Sequence, residues 1–442
     1  MPNYYLRPIL ILFLCLSFTK NIFAQVPQKG NILPEWKEGY LDLHHINTGR
    51  GNAAFYIFPD GTTMLFDAGE QDPTDARTLS ARNSLIRPND KKHPYEWIVS
   101  YIKQVAPATN NRTIDFAIIS HFHDDHMGAY YTGIPKSNHG DYFLTGVTGV
   151  ADLMPVKMLL DRGYPDYNYP VDMKSKIYEQ KAKSTSSGNR YLLTMQNYFS
   201  FIEANKKSGM KVENIKPGSK TQIKLKFASE KYADFFVQNV KCNGRIWTGK
   251  DSSTFQQFPA IDTANPKSFP TENALSQVIT INYGPFKYYT GGDNPGNISY
   301  GDAAWMDVET PVAQAIGAVD VATLDHHGNR DALNENMIRT FHPRVWVQQV
   351  WSSDHPGHEV LIRLTTPYLY PGVRDLFATN MLQPNKDVIG SLIDNSYKSL
   401  QGHILIRVLP GGHKYYVIIL DDSQQNLVVK DVFGPYDTTE KK

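Results

Sequence analysis

Ser120-His121-Phe122-His123-Asp124-Asp125-His126-Met127-Gly128 sets three histidines and two aspartates into the six positions 121–126. The stretch follows an apolar run at 114–119 that reads as a strand. Imidazole and carboxylate together suit zinc and similar borderline divalent ions. A strand that ends in such a cluster predicts a metal-binding loop at the mouth of a sheet. A solvated polar loop rarely concentrates that much ligand chemistry.

Other strand-like runs end in the same way. The run at 62–66 ends at Asp67-Ala68-Gly69. A hairpin of 276–283 and 287–290, turned at Gly284-Pro285, ends at Gly291-Gly292-Asp293. The run at 319–324 leads into Asp325-His326-His327-Gly328. Upstream, 41–47 and 53–58 read as strands around the glycine turn Thr48-Gly49-Arg50-Gly51-Asn52, and Pro59-Asp60-Gly61 is a hairpin turn. Further strands are expected at 156–161, 235–240 and 345–350, with a closing hairpin of 403–409 and 414–420. Helices are expected at 95–105, 334–341 and 358–364, and over 174–207 with a break at Ser184-Thr185-Ser186-Ser187-Gly188. Alternating strands and helices with polar clusters at the strand ends predict an α/β sandwich. The metal site would lie at one edge of its sheets. The expected organisation is one domain over 25–442 with an irregular insertion at about 130–270.

The chain has 442 residues, 41% hydrophobic and 20% charged, which fits a globular protein. Arg7, the apolar run at 9–18 and Ala24 predict a signal peptide over 1–24, hence export to a bacterial periplasm, cell surface or medium. That run is short for a membrane span, so no transmembrane domain is expected after its removal. Of the two cysteines, Cys15 leaves with the signal and Cys242 stays alone, which excludes an intrachain disulfide. The net charge of +1 supplies no overall field for nucleic acid. A small-molecule or cell-envelope substrate is expected rather than a stable nucleic-acid partner.

The pattern His121-x-His123-x-Asp125-His126 after a strand resembles the signature of the metallo-β-lactamase superfamily. His45 to Asn52, Phe58-Pro59-Asp60-Gly61 and Leu65-Phe66-Asp67-Ala68-Gly69 resemble the opening of one subgroup. It includes the hydrolase domain of competence DNA-uptake proteins (ComEC type) and bacterial phosphorylcholine esterases. Gly291-Gly292-Asp293, His326-His327-Gly328 and His355-Pro356 resemble its later elements. The resemblance implies an αββα sandwich with one or two divalent ions at one edge, zinc being expected and manganese an alternative. It implies that His121 and His123 bind one ion, that Asp125 and His126 bind the other, and that Asp293 bridges them. One or both of His326 and His327 would complete the shell. A histidine left over would face the substrate phosphate or donate a proton. Asp67 would orient a ligand histidine, or merely end its strand. The binuclear members carry another histidine between signature and bridge. The only one in that interval is His139, which reads as a surface residue, so the first ion is short of a ligand and a single ion stays open.

The expected activity is that of an exported metal-dependent hydrolase of phosphate esters or diesters, acting through a metal-bound hydroxide with Asp125 as an orienting base. The alternatives are a lactone or amide hydrolase of the same fold and a non-catalytic metal-containing binding protein. No Gly-x-Ser-x-Gly motif competes, and Cys242 has no histidine nearby in sequence. Tyr164, Tyr167, Tyr169, Trp247 and Trp351 are candidates for an aromatic wall, with ordinary packing the first expectation. His44 and His45 read as structural. Substrate choice is expected to lie in the loops 162–170 and 255–269.

Overall fold

The computed structural model describes residues 27–297, 299 and 302–439; the expected signal segment 1–24 lies outside them. Two nine-stranded sheets stack face to face. In the first, β1 (Leu41–His45), β2 (Ala53–Ile57) and β3 (Thr63–Ala68) form an antiparallel meander. β4 (Ile114–Ile118), β5 (Val156–Asp161) and β6 (Lys211–Asn214) extend it in parallel beyond β3. In the second sheet, β7 (Phe235–Cys242), β8 (Arg245–Trp247) and β9 (Thr254–Gln256) form an antiparallel margin beside the hairpin β10 (Val278–Tyr283) and β11 (Phe286–Thr290). β12 (Val321–Thr323), β13 (Val345–Gln348), β14 (Asp375–Ala378) and β15 (Tyr397–Ser399) continue it in parallel. The chain then returns to the first sheet with β16 (His403–Val408), β17 (Lys414–Leu420) and β18 (Val429–Asp437).

Side-chain alternation divides the apolar residues into three layers. Tyr56, Phe116 and Ile118 point between the sheets, where they meet Ile281, Tyr288 and Val347. Phe55, Ala117 and Leu159 point the other way, onto α1 (Pro94–Val105), α3 (Gly146–Leu153) and α5 (Ser186–Lys207). The outer face of the second sheet packs on α6 (Glu309–Ile316), α7 (Glu335–Phe341) and α8 (His358–Thr365). Four short helices complete the set: α2 (Asp124–Met127), α4 (Lys176–Ala182), α9 (Gln383–Ile389) and α10 (Ser391–Ser396). The result is the αββα sandwich expected of a metallo-β-lactamase-like fold. Burial of both faces explains why its central strands are almost continuously apolar in sequence.

Two expectations are corrected. The stretch 130–270 is not an irregular insertion: it carries α3, α4, α5 and five strands, two completing the first sheet and three forming the margin of the second. The break expected at 184–188 is shorter. Thr185 caps α5 by accepting the Gly188 N–H, so Ser186, Ser187 and Gly188 form the first helical turn. Among the described residues no helix is long and apolar enough to cross a membrane.

Parallel pairing decides where the chemistry goes. β3 and β4 run side by side, so Asp67 and the histidine loop emerge at one edge. β11, β12 and β13 also run parallel, which sends Asp293, His326-His327 and Trp351 out together.

Candidate metal centre

The loop after β4 is held by backbone contacts that leave no room for side chains. The Asn52 N–H donates to the Asp125 carbonyl at 2.7 Å, and the Gly69 N–H to the Asn52 carbonyl at 2.7 Å. A Cβ at Gly69 would lie 2.0 Å from that Asp125 oxygen, and one at Gly51 would lie 2.3 Å from it. Gly51 and Gly69 are thus required by the loop that passes against them. From the other side, Glu272 accepts the Phe122 N–H at 2.8 Å and the Nε–H of buried Arg162 at 2.7 Å. The Arg162 guanidinium lies over the Phe122 ring at 4.3 Å.

Asp67 fixes the histidine behind the cluster. Its Oδ1 accepts the Ser120 N–H at 2.7 Å, while Oδ2 accepts the Ser120 hydroxyl at 2.7 Å and lies 2.8 Å from His126 Nδ1. The orienting role therefore holds, and the plain strand-end reading does not.

Six of the seven expected ligands form two groups that share one residue. Asp125, His126, Asp293 and His327 present ligand atoms within 4.8 Å of one another, and so do His121, His123 and Asp293. His327 Nε2 is 2.9 Å from Asp125 Oδ2 and 3.6 Å from Asp293 Oδ1. His126 Nε2 is 3.0 Å from Asp293 Oδ1. His121 Nε2 lies 3.0 Å from His123 Nδ1 and 3.7 Å from Asp293 Oδ2. The seventh residue, His326, stands at the rim. Its Nε2 is 3.8 Å from Asp293 Oδ2, and its Nδ1 is 2.6 Å from Asp331. Both His326 and His327 have positive φ, 45° and 55°. This left-handed step, followed by Gly328, turns the two neighbouring rings to different tasks.

The donor set fits divalent cations. With its Nδ1–H given to Asp67, His126 turns Nε2 toward Asp293; burial opposes charge on the ring, but Asp293, Asp125 and Asp67 push it well above the usual imidazole range, so that without a cation Nε2 carries a proton that a metal ion would replace. Both His126 Nε2 and Asp293 Oδ1 are buried without a hydrogen-bond partner. Lone pairs facing at 3.0 Å repel unless a proton or a cation lies between them. His327 repeats the arrangement: its Nδ1 faces the Gln349 carbonyl at 3.3 Å, and its Nε2 faces a carboxylate. Burial would raise the Asp125 and Asp293 carboxyls, but the His126 and His327 rings hold both well below the usual carboxylate range. Burial likewise opposes charge on His326, yet Asp293 and Asp331 push it up to about 9.

His139 lies outside the centre, 67% exposed and 3.2 Å from Asp152, as expected for a surface residue. No substitute for the missing histidine is supplied by it, so the His121–His123 group has three members to the other's four. The aromatic expectations resolve mainly as packing. Tyr167 donates its hydroxyl to buried Asp161, and Trp247 donates to the Asp251 carbonyl. Trp351 alone of that set reaches the centre, with its indole Nε1–H 3.2 Å from His327 Nε2.

A chamber of about 390 Å³ opens over His123, Asp125, Asp293 and His326. Its remaining walls include Arg77, Arg190, Tyr191, Asn273 and Trp351. The loops 162–170 and 255–269, expected to shape substrate choice, do not line it. Arg162 acts from behind, through Glu272 and the Phe122 ring. Arg77 and Arg190 carried no motif; the signal available for them was their place after Asp67-Ala68-Gly69 and in the first turns of α5.

No protein-family model matches the chain, and no curated protein matches it. Among solved structures it is similar to the metallo-beta-lactamase fold protein YhfI from Bacillus subtilis, with a TM-score of 0.31 and 10% identity. The likeness covers 82% of this chain and 95% of that one.

Proposed function

We propose that this chain is a metallo-β-lactamase-superfamily hydrolase that cleaves phosphate esters, diesters first, at a centre holding two divalent ions. The observation that carries the reading is the pair of ligand groups sharing Asp293 at one sheet edge. Asp125, His126, Asp293 and His327 would hold one ion, and His121, His123 and Asp293 the other. Ions bound there supply Lewis acidity and bring the pKa of water toward neutrality. Zinc suits the mixed imidazole and carboxylate donors, with manganese an alternative.

The protein's own groups then have separate tasks. Asp125 would share in holding an ion and lines the chamber, where it orients the attacking water. His326 faces the chamber with Asp331 behind its Nδ1, in position to give a proton to the leaving oxygen. Arg77 and Arg190 stand at the mouth and favour an anionic substrate over a neutral lactone. The near-neutral chain supports a small-molecule or envelope substrate rather than long nucleic acid. The apolar start at 9–18 supports export of a bacterial enzyme.

The test is turnover of bis(p-nitrophenyl) phosphate, p-nitrophenyl phosphate and a lactone panel by the metal-loaded protein. Diester turnover that chelation or His123→Ala abolishes is expected. Bound metal with no turnover of any member would sink the enzyme reading; lactone turnover alone would replace the phosphate assignment.

A further inference from the structure

A second chamber of about 290 Å³ adjoins the one over the metal centre; Arg77, Asp124 and Trp351 line both. Its own walls bring in Arg82, Ser80 and Asn83. Arg82 is 68% exposed, and its only ion pair among the described residues is a long one of 3.8 Å to Asp354. Arg77 is 80% exposed and shares Asp75 with Arg190. Both guanidinium groups therefore keep donors free toward the chamber. Behind the wall, buried Arg50 donates Nη1–H to the Thr78 carbonyl at 2.9 Å and leaves its Nε–H without a partner. Burial shifts Arg50 downward, and among the described residues it makes no ion pair. Asp124 is the one carboxylate among the lining residues.

This wall is fixed relative to the metal centre. The Ser84 N–H donates to the Trp351 carbonyl at 2.8 Å, and the Ser353 N–H donates to the Arg82 carbonyl at 2.8 Å. The segment that carries Arg82 is thus stitched to the one that carries Trp351, whose indole touches His327.

We propose that this adjoining chamber is a second anion site, so that the substrate carries another phosphate beside the phosphodiester that is cleaved. The proposal rests on the phosphodiester reading above and narrows it. An arginine-lined chamber at this position selects against a cationic leaving group such as choline and for a doubly charged substrate.

The experiment compares the p-nitrophenyl ester of thymidine 5′-phosphate with the same ester carrying a 3′-phosphate, on the metal-loaded protein. The expected result is a KM lower by on the order of tenfold for the doubly charged ester, the size of one charge-assisted contact. Arg82→Gln, on an exposed side chain, should bring the ratio of the two kcat/KM values toward one, and Arg82→Lys should restore part of it. Equal KM values in the unaltered protein, or a preference that survives Arg82→Gln, would overturn the proposal. Turnover of neither ester would instead defeat the phosphodiester reading. The anion site is then read by titration calorimetry with thymidine 3′,5′-bisphosphate against thymidine 5′-phosphate. A preference lost in Arg82→Gln supports it, and equal affinities overturn it.

Discussion

Asp67→Asn removes one oxygen from a carboxylate that serves three donors. In the native protein Oδ1 takes the Ser120 N–H, and Oδ2 takes the Ser120 hydroxyl and faces His126 Nδ1 at 2.8 Å. An amide offers one oxygen and one NH₂ to the same positions. Keeping the Ser120 N–H bonded sets NH₂ against His126 Nδ1–H, donor against donor. The imidazole then moves its proton to Nε2, the atom that faces Asp293 and must be free to bind a cation. The residue is fully buried, so water cannot repair the mismatch. Loss of such an orienting partner costs roughly 10–100-fold in metal affinity, about 1.4–2.8 kcal/mol. Competition against a graded series of chelators measures this for each ion. The weakened ion should be the one assigned to Asp125, His126, Asp293 and His327; the His121–His123 ion should change less. Two ions retained with native affinities would refute the reasoning, because His126 would then not depend on Asp67 for its tautomer.

Arg162→Met leaves Glu272, whose side chain is 14% exposed, without its partner and should cost about 2–3 kcal/mol in urea denaturation; a loss below about 1 kcal/mol would show that the Phe122 N–H and Tyr191 suffice. Gly69→Ala drives a methyl into the Asp125 carbonyl, 2.0 Å from the ideal Cβ, and should lower metal affinity by at least about tenfold in the same chelator assay; native affinity would mean that the loop yields freely. Burial holds the His45 imidazole down at about 4 against an ordinary 6.5, with Gln349 opposing weakly. The unfolded chain therefore takes up the proton first, so this stability is complete above pH 6.5 and is lost as pH falls toward 4, by up to about 3 kcal/mol. Denaturation series at several pH values should show a shallower loss in His45→Gln, and an equal slope would refute the assignment.

The centre was legible in sequence to an unequal degree. His121, His123, Asp125 and His126 declared themselves because one loop concentrates their chemistry. Asp293 and His326-His327 were visible as strand-end residues, but their convergence required the parallel pairing of β11 and β12. Sequence could not divide the two adjacent histidines, since their directions depend on a left-handed backbone step that no side-chain pattern announces. β6, Lys-Val-Glu-Asn, escaped reading because an edge strand needs little apolar surface. The same holds for the chamber walls. Arg77, Arg82 and Arg190 belong to a loop and a helix turn whose composition is ordinary, and only the fold brings them to the metal centre. In sequence Gly51 reads as part of a turn and Gly69 as a strand end; their stricter role, letting backbone pass against the Asp125 carbonyl, is a property of packing.

The most direct test of the account is metal stoichiometry under stepwise titration, in the native protein and in Asp293→Ala, followed by mass spectrometry under native conditions. Because Asp293 belongs to both ligand groups, the account predicts two ions per chain in the native protein, the four-residue group filling before the three-residue group. It predicts loss of the second and weakening of the first in Asp293→Ala. A native protein that saturates at one ion or none, or a variant that still binds two as tightly, would contradict the shared bridge on which the proposed chemistry stands.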